Sequence, residues 1–336
     1  MTRQIIICAN IIFFSLLVSC SRNPFDVDIS GIDFDLKINR FDRELFLMDQ
    51  DSMDQAIDNF YSRYGDFFDV FNVHILNIGP ASQRYYPSFL SMFINDPLNR
   101  EVFEYTNNVF EDMSEIERSL ENGFKRYMVH YPDSVPPIIV SYVSRFNQGL
   151  FSVNNYIGVG LDHYLGRNTD YYDMLGIAEY IQYNKYPGKI PSDVIYAFAT
   201  KLYPYNDSID NVLNRMVQAG LLMFFVDALL PETADSIKIG FRSDQMKWCI
   251  NNEEQMWTHL VEKKLLFSSD DLNIKKLIDN APYTQLYNSD SPGKAAVWQG
   301  WQIVKAYAAR HSEKSLAEIM SIRDYQIILH ESRYNP

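Results

Sequence analysis

Apolar and polar residues alternate with a period of two at only a few places in this chain, and with a helical period almost everywhere else. Phe34, Leu36 and Ile38 alternate with Asp35, Lys37 and Asn39, which predicts a strand over 33–39. Residues 51–69 then place Met53, Ile57, Phe60, Tyr61, Tyr64 and Phe68 at spacings of three and four, one face of a helix. Asp96-Pro97 pairs a capping side chain with a first-turn proline, and Ser114-Glu115-Ile116-Glu117 has the sequence of a capping box ahead of a helix over 115–129. Two more strands are predicted, IIVSYV at 138–143 and NYIGVGLD at 155–162. Gly158 and Gly160 in the second mark a backbone that something else approaches closely. From 171 onward helices are expected at 171–183, 192–202, 207–229, 243–263, 270–280, 293–310 and 314–321. The expected class is α+β, predominantly helical, with a small early sheet.

The segment 207–229 differs from the other helices because it is apolar on every side from Ala219 to Val226. A helix without a polar face must be surrounded, so this one is expected at the centre of the fold, entered through Asn206-Asp207-Ser208 and stopped by Pro231. Gln218 and Asp227 on it must either be hydrogen-bonded internally or face a cleft, since an unpaired buried polar group costs about 1–3 kcal/mol.

The N-terminus carries a different pattern. Arg3 precedes a fourteen-residue apolar run, Ile5 to Val18. At about 1.5 Å per residue that run covers roughly 21 Å, short of a hydrocarbon core of about 30 Å, so it reads as a signal-peptide core. Leu17-Val18-Ser19-Cys20 resembles the lipobox of bacterial lipoproteins, in which the cysteine thiolate is alkylated by a diacylglycerol group and becomes the first residue. Cys20 is therefore the expected lipidation site, with the bilayer as its partner. Cys8 leaves with the signal, so Cys249 alone remains in the body and no intramolecular disulfide is possible. Cys249 reads as a buried small hydrophobe. Ser21-Arg22 places no acidic residue after the anchor, which is compatible with outer-membrane delivery facing the periplasm.

Composition narrows the partners. Cleaving residues 1–19 removes Arg3 alone, so 43 acidic residues face one fewer basic residue than the full chain's 30, and the formal charge moves from −13 to −14. A polyanion would be repelled, and nucleic acid is not an expected partner. With 47% hydrophobic and 15% aromatic residues the chain can bury a large core. The expected organisation is a signal peptide at 1–19, a tether at 20–32 and one globular domain at 33–336.

INRFDRELF at 38–46, YIGVGLDHYLG at 156–166, GLLMFFVDALLP at 220–231, WQGWQIVKAYAAR at 298–310 and HESRYNP at 330–336 together resemble the gliding motility-associated lipoprotein B (GldB) family of Bacteroidetes. That family looks like a distant relative of predicted zinc-dependent proteases with HExxH on a central helix. The resemblance implies a zincin-like arrangement of small sheet, central helix and C-terminal helices, here with a degenerate metal motif. HExxH works because two imidazoles one turn apart meet on Zn²⁺ beside a glutamate base. The histidines here stand at 74, 130, 163, 259, 311 and 330, no two of them three to five apart, and residues 216–225 read MVQAGLLMFF. His330-Glu331 is read as part of a solvated tail. Asp162-His163, after the glycine-bearing strand, is the one histidine position considered for a site, with turn capping or core hydrogen bonding as the competing role.

Other catalytic patterns are absent. There is no GxSxG, P-loop or GxGxxG, and Asp270-Asp271 and Glu253-Glu254 are adjacent acids at helix starts, as capping and dipole effects require. Three functions compete. The first is a noncatalytic lipoprotein contacting cell-envelope proteins, and the resemblance implies gliding motility. The second is a periplasmic zinc peptidase. The third is a glycan binder using Trp248, Trp257, Trp298, Trp301 and the tyrosine pairs 85–86 and 171–172. Trp298, Trp301 and Val304 form one helical stripe and read as core. The first reading is the expectation adopted. It needs no catalytic residue, metal or cofactor, and places a binding surface near Asp162, His163, Gln218 and Asp227.

Overall fold

The computed structural model describes residues 25–205 and 208–336. Cys20 and the signal segment, and Asn206 and Asp207 at the expected entry to the central helix, lie outside the described residues. Of the stretch expected as a tether, Phe25 is buried in the body, while Asp28, Ser30 and Gly31 are exposed.

Helices α1 (Phe41–Phe46), α2 (Met53–Tyr64), α3 (Asp66–Val70), α4 (Tyr86–Asn95), α5 (Pro97–Val109) and α6 (Ser114–His130) precede the sheet. The sheet has strands β1 (Ile138–Tyr142), β2 (Leu150–Val153) and β3 (Tyr156–Gly160) in the order β1-β3-β2. After it come α7 (Asp170–Met174), α8 (Glu179–Gln182), α9 (Ile190–Leu202), α10 (Val212–Leu229), α11 (Asp235–Ile239), α12 (Ser243–Asn251), α13 (Glu253–Glu262), α14 (Asp271–Ile278), α15 (Ala295–Arg310), α16 (Leu316–Met320) and α17 (Tyr325–Ser332). The class is α+β with helix predominating.

The sheet separates two cores. β1 and β3 run parallel with Ile139 opposite Ile157, and β2 pairs antiparallel to β3 with Phe151 opposite Gly158. Side chains alternate between the faces, so Val140 and Tyr142 join an N-terminal cluster while Ile139, Ile157 and Val159 join the larger C-terminal one. In the N-terminal cluster Phe41 meets Phe60, Tyr64, Phe67, Phe68 and Phe71 edge-on, with ring centroids 5.1 to 5.9 Å away. The two strand glycines are closely approached: a Cβ on Gly158 would lie 2.4 Å from the Phe151 ring, and one on Gly160 2.4 Å from the Gln148 carbonyl.

Two expectations fail for one shared reason. Residues 33–38 are extended, with Leu36 and Ile38 buried, but form no strand. Their backbone bonds to side chains of α6, Leu36 N–H donating to Glu121 Oε2 (3.3 Å) and Ile38 N–H to Glu117 Oε1 (3.0 Å). Sheet-like pairing begins only at Asn39, bridged to Val140. Glu117 is thereby spent on Ile38, so the capping box expected at Ser114 does not form; Ser114 is already helical and its N–H goes to Asp112 Oδ1 (2.8 Å). Other long helical patterns are interrupted where the backbone turns: 51–69 at Gly65 (φ +43°), 171–183 around Gly176 (φ +65°) and 243–263 at Asn252. The expected solvated tail is instead α17, capped by Asp324, with Tyr325, Ile328 and Ser332 buried and His330 and Glu331 exposed.

The central helix is α10. It begins at Val212, later than the pattern predicted, because Asn211 caps it by accepting from Asn214 N–H (2.8 Å). Its length and apolarity would suffice to cross a membrane, but it is the buried axis of the body, packed against α6, α9, α11, α14, α15, α16 and α17. The closest partner is α15. A Cβ on Gly220 would stand 2.3 Å from the Gly300 carbonyl carbon, and one on Gly300 1.9 Å from the Met216 carbonyl oxygen, so the two helices cross backbone to backbone. Trp298 and Trp301 on α15 are buried beside this crossing.

Gly300→Ala is expected to destabilise the protein by about 2–3 kcal/mol, since the overpacking penalty exceeds the roughly 1 kcal/mol alanine gains in a helix. Gly31→Ala, where a Cβ meets nothing within 4 Å, is expected to change stability by less than about 0.5 kcal/mol. Urea unfolding of the two variants checks this; equal midpoints would refute the crossing as the tight point of the fold.

Candidate functional site

The residues singled out by sequence occupy three positions, and none of them is an open reactive group. Asp162 and His163 lie on a 3₁₀ turn, Leu161–Tyr164, at the end of β3. Asp162 is fully buried, and its Oδ2 accepts from Ser144 N–H (3.1 Å) and Phe146 N–H (2.6 Å). The chain between those amides is left-handed at Arg145 (φ +59°) and Phe146 (φ +62°), a conformation non-glycine residues adopt at a cost of order 1 kcal/mol each. The carboxylate holds that turn in place. Burial pushes the Asp162 carboxyl up to about 6 against the pull of those amides and of Lys185.

His163 is held neutral. Lys185 Nζ donates to its Nδ1 at 2.8 Å, which places the ring proton on Nε2, and Nε2 is buried without a partner among the described residues. Burial first, and the Lys185 charge second, bring the imidazole down to about 3.

Gln218 and Asp227 sit on α10. Gln218 ties it to its neighbours, donating to Tyr203 O (2.7 Å) and accepting from Tyr325 OH (2.9 Å). Asp227 accepts from Lys238 and lies 3.3 Å from Lys305 Nζ; Asp235 pairs with the same two lysines at 3.2 and 3.0 Å. Lys305 also rests over the Trp301 ring, 3.9 Å from its centroid.

Two of these positions, the turn that carries Asp162 and His163 and the end of α10 at Asp227, are joined by residues that sequence reading missed. Tyr164 OH donates to Asp193 Oδ2 (3.1 Å), and the buried Lys189 pairs with Asp193 and donates to Ser192 Oγ (3.0 Å) and Lys238 O (3.2 Å). A polar spine thus runs from the end of β3 through α9 to the α10–α11–α15 junction. The (i, i+4) spacing of Lys189 and Asp193 and the (i, i+3) spacing of Asp235 and Lys238 were the only signals available in the sequence.

The open site lies beside this spine. A cleft of about 730 Å³ is lined by Arg167, Asn168, Asp173, Glu179, Tyr180, Gln182, Tyr183, Arg242 and Pro282. A smaller recess of about 30 Å³ shares Tyr180, Tyr183 and Arg242 with it and is lined also by Gly293 and Lys294. Its walls are rigidly tied. Gly166 N–H donates to Lys185 O (2.9 Å), Gln182 Nε2 to Asp173 Oδ1 (2.8 Å), and Asn184 Nδ2 to Gly240 O (2.9 Å) across to the second wall. Arg167 is stacked on Tyr183 and Tyr186, 4.0 and 4.2 Å from their centroids, and donates from Nε to Tyr183 O, which fixes the guanidinium at the cleft wall. Lys294, left-handed at φ +49°, stands at the start of α15 and makes no side-chain capping bond there. Burial and the nearby Lys189 bring it down to about 8.

The residues do not fit a zinc centre. Among the described residues no three of His, Cys, Asp and Glu gather as metal ligands, and positions 216–225 of α10 carry no ligand side chain. Cys249 is buried and its thiol is pushed up by burial, so it is no nucleophile. Of the aromatics considered for glycan binding, Trp298, Trp301, Tyr86 and Tyr172 are buried, Trp248, Trp257 and Tyr171 are partly buried against the core, and Tyr85 is exposed.

Against known proteins, the family model described as gliding motility protein GldB matches residues 22–336. The chain belongs to that family and is a gliding motility-associated lipoprotein. No curated protein and no solved structure matches it, and the comparisons do not extend to zinc-dependent proteases.

Opposed pH dependences follow from the turn at 162–163. The Asp162 carboxyl, raised from an unfolded value near 3.9 to about 6, contributes stability that is complete below pH 4 and lost as pH rises through 6, up to about 3 kcal/mol. His163, lowered from about 6.5 to about 3, contributes stability that is complete above pH 6.5 and lost as pH falls through 3, up to about 5 kcal/mol. Relative to wild type, His163→Gln is expected to lose less stability between pH 7 and 4, and Asp162→Asn to lose more. Urea midpoints at unit pH steps test this, and profiles parallel to wild type would refute it.

Proposed function

We propose that this protein is a noncatalytic, lipid-anchored component of the cell envelope, held by acylated Cys20 in the outer membrane facing the periplasm, where it contacts other envelope proteins of the gliding apparatus. The observation that carries this reading is the place where the packed body begins. Phe25 is buried against Phe224, edge-on at 5.2 Å, and its carbonyl bonds to His130 Nε2 (3.0 Å). Asp26 lies 3.6 Å from the Arg126 guanidinium, which also pairs with Glu232. Four residues separate Cys20 from Phe25, and the five steps between them, at about 3.5 Å each, reach no more than roughly 18 Å. A body on so short a stem is kept at the membrane surface with its Phe25–His130–Glu232 end turned toward the lipid. That arrangement suits a part that presents a defined face to neighbours and does not suit one that roams.

The interior supports the same reading. Asp162, His163, Gln218 and Asp227 are engaged in bonds that hold elements together. A group so engaged is not poised to transfer a proton to a substrate. Two or three acyl chains supply anchoring that a single chain lacks.

Cys20→Ala is expected to shift the protein from the membrane pellet to the soluble fraction, with an unchanged melting temperature and loss of gliding. Retention on membranes after a carbonate wash would refute the anchor. Inserting ten Gly/Ser residues after Arg22 is expected to keep the protein on membranes while gliding fails; normal gliding of that strain would show that the close stem is dispensable.

A further inference from the structure

The cleft lined by Arg167 and Arg242 has no part in membrane attachment, and its lining has a definite chemical character. Two cations, Arg167 and Arg242, line it from separate segments of the chain, and a third, Lys294, lines the small recess that shares Arg242 with it. Arg167 is held flat by two tyrosines, and Arg242 is steadied by Asp244 at 3.2 and 3.3 Å, so both guanidinia are pre-positioned. The recess beside Lys294 has room for a water or the tip of a carboxylate. Two carboxylates, Asp173 and Glu179, share the cleft with the two arginines. The remaining lining is the side chains of Tyr180 and Tyr183 and the amides of Asn168 and Gln182, with Pro282 the one aliphatic residue.

We propose that this cleft binds an acidic carbohydrate, a short oligosaccharide carrying carboxylates, with a carboxylate directed to Lys294 and the guanidinia and the sugar rings against Tyr180 and Tyr183. The volume lies within the 300–1,000 Å³ of small-molecule sites and far exceeds what a free phosphate fills. Hydroxyl groups both donate and accept, and the lining offers both: amides and cations to donate, Asp173 and Glu179 to accept. Those same two carboxylates oppose a ligand of dense charge such as a polyphosphate. An acidic peptide would need apolar pockets or an open strand edge for its recognition, and this cleft is lined by neither.

The test uses the full-length lipidated protein in detergent, titrated by calorimetry and by saturation-transfer NMR with trigalacturonic acid, its neutral methyl ester, inorganic phosphate and tetraglutamate. Trigalacturonic acid is expected to saturate the protein, with the methyl ester at least about tenfold weaker. Arg167→Ala, Arg242→Ala and Lys294→Gln are each expected to weaken binding about tenfold, the scale of one lost charge-assisted hydrogen bond, while Arg118→Ala on the exposed face of α6 leaves it unchanged. Circular dichroism and melting curves establish that each variant is folded, and the methyl-ester comparison needs no variant. The proposal is overturned if trigalacturonic acid does not saturate the protein by about 10 mM, if the methyl ester binds as well, or if phosphate or tetraglutamate binds as tightly with the same response to the three substitutions. None of these outcomes bears on membrane anchoring, which is read separately by Cys20→Ala.

Discussion

Everything in this molecule is arranged around one contact, the crossing of α10 and α15 at Gly220 and Gly300. Side chains normally keep helix axes 8–10 Å apart. Two facing glycines remove that spacer, so carbonyl and amide groups of the two helices touch directly. Close approach lets Trp301, Val304 and Ile303 of one helix lie against Val217, Leu221 and Phe224 of the other in a single dry cluster. The glycines cost helix propensity, roughly 1 kcal/mol each against alanine. The packing they permit around two long helices offsets that cost, which is why bulk at either position is predicted to be so damaging.

A dry axis has a second effect: charge must gather at its margins. Asp227 is the one carboxylate on α10, it falls in the helix's last turn, and it is matched there by Lys238 and Lys305. Lys238 is almost wholly buried, its side chain 2% exposed, and Asp227 and Asp235 together compensate its charge where water cannot. The links through Lys189, Asp193 and Tyr164 then carry this constraint to the end of β3. The spine therefore fixes where the loop 165–186 runs, and that loop is one wall of the cleft.

What the sequence made legible was what is decided locally or by continuous apolarity. Asp96 caps α5 because the side chain, the proline and the amides it binds are within three residues. The apolar run of α10 had to be buried whatever surrounded it, and Gly158 and Gly160 announced close neighbours without naming Phe151 and Gln148. Illegible were features decided by partners far along the chain. Glu117 leaves its own helix start because Ile38, 79 residues earlier, presents an unpaired amide. The alternation at 33–38 correctly marked Leu36 and Ile38 as inward, yet the groups that satisfy the backbone are carboxylates on α6 and no strand forms. Arg167, Arg242 and Lys294 carry no motif at all. Only the fold brings Arg167 and Arg242 to one cleft and Lys294 to the recess beside it.

The same crossing bears on chemistry. A zinc helix must turn two adjacent imidazoles toward a space that water can enter. On α10 the corresponding stretch, 216–225, has Gly220 against the backbone of α15 and Leu221, Phe224 and Phe225 inside the core, so no face of that stretch is left to line a reactive cavity. Solvent-facing polarity has moved to the neighbouring cleft, where Arg167 and Arg242 stand among the carboxylates Asp173 and Glu179. A body of formal charge −14 after signal cleavage repels anions at long range in proportion to their charge, while Arg167 and Arg242 in the cleft and Lys294 in the adjoining recess offer a carboxylate attraction at short range. Such a combination selects against densely charged polyanions and for ligands whose negative charge is diluted over a large neutral, hydroxylated frame. Long-range repulsion and short-range capture therefore act together as a filter, and the ligand class proposed for the cleft is the one that passes both.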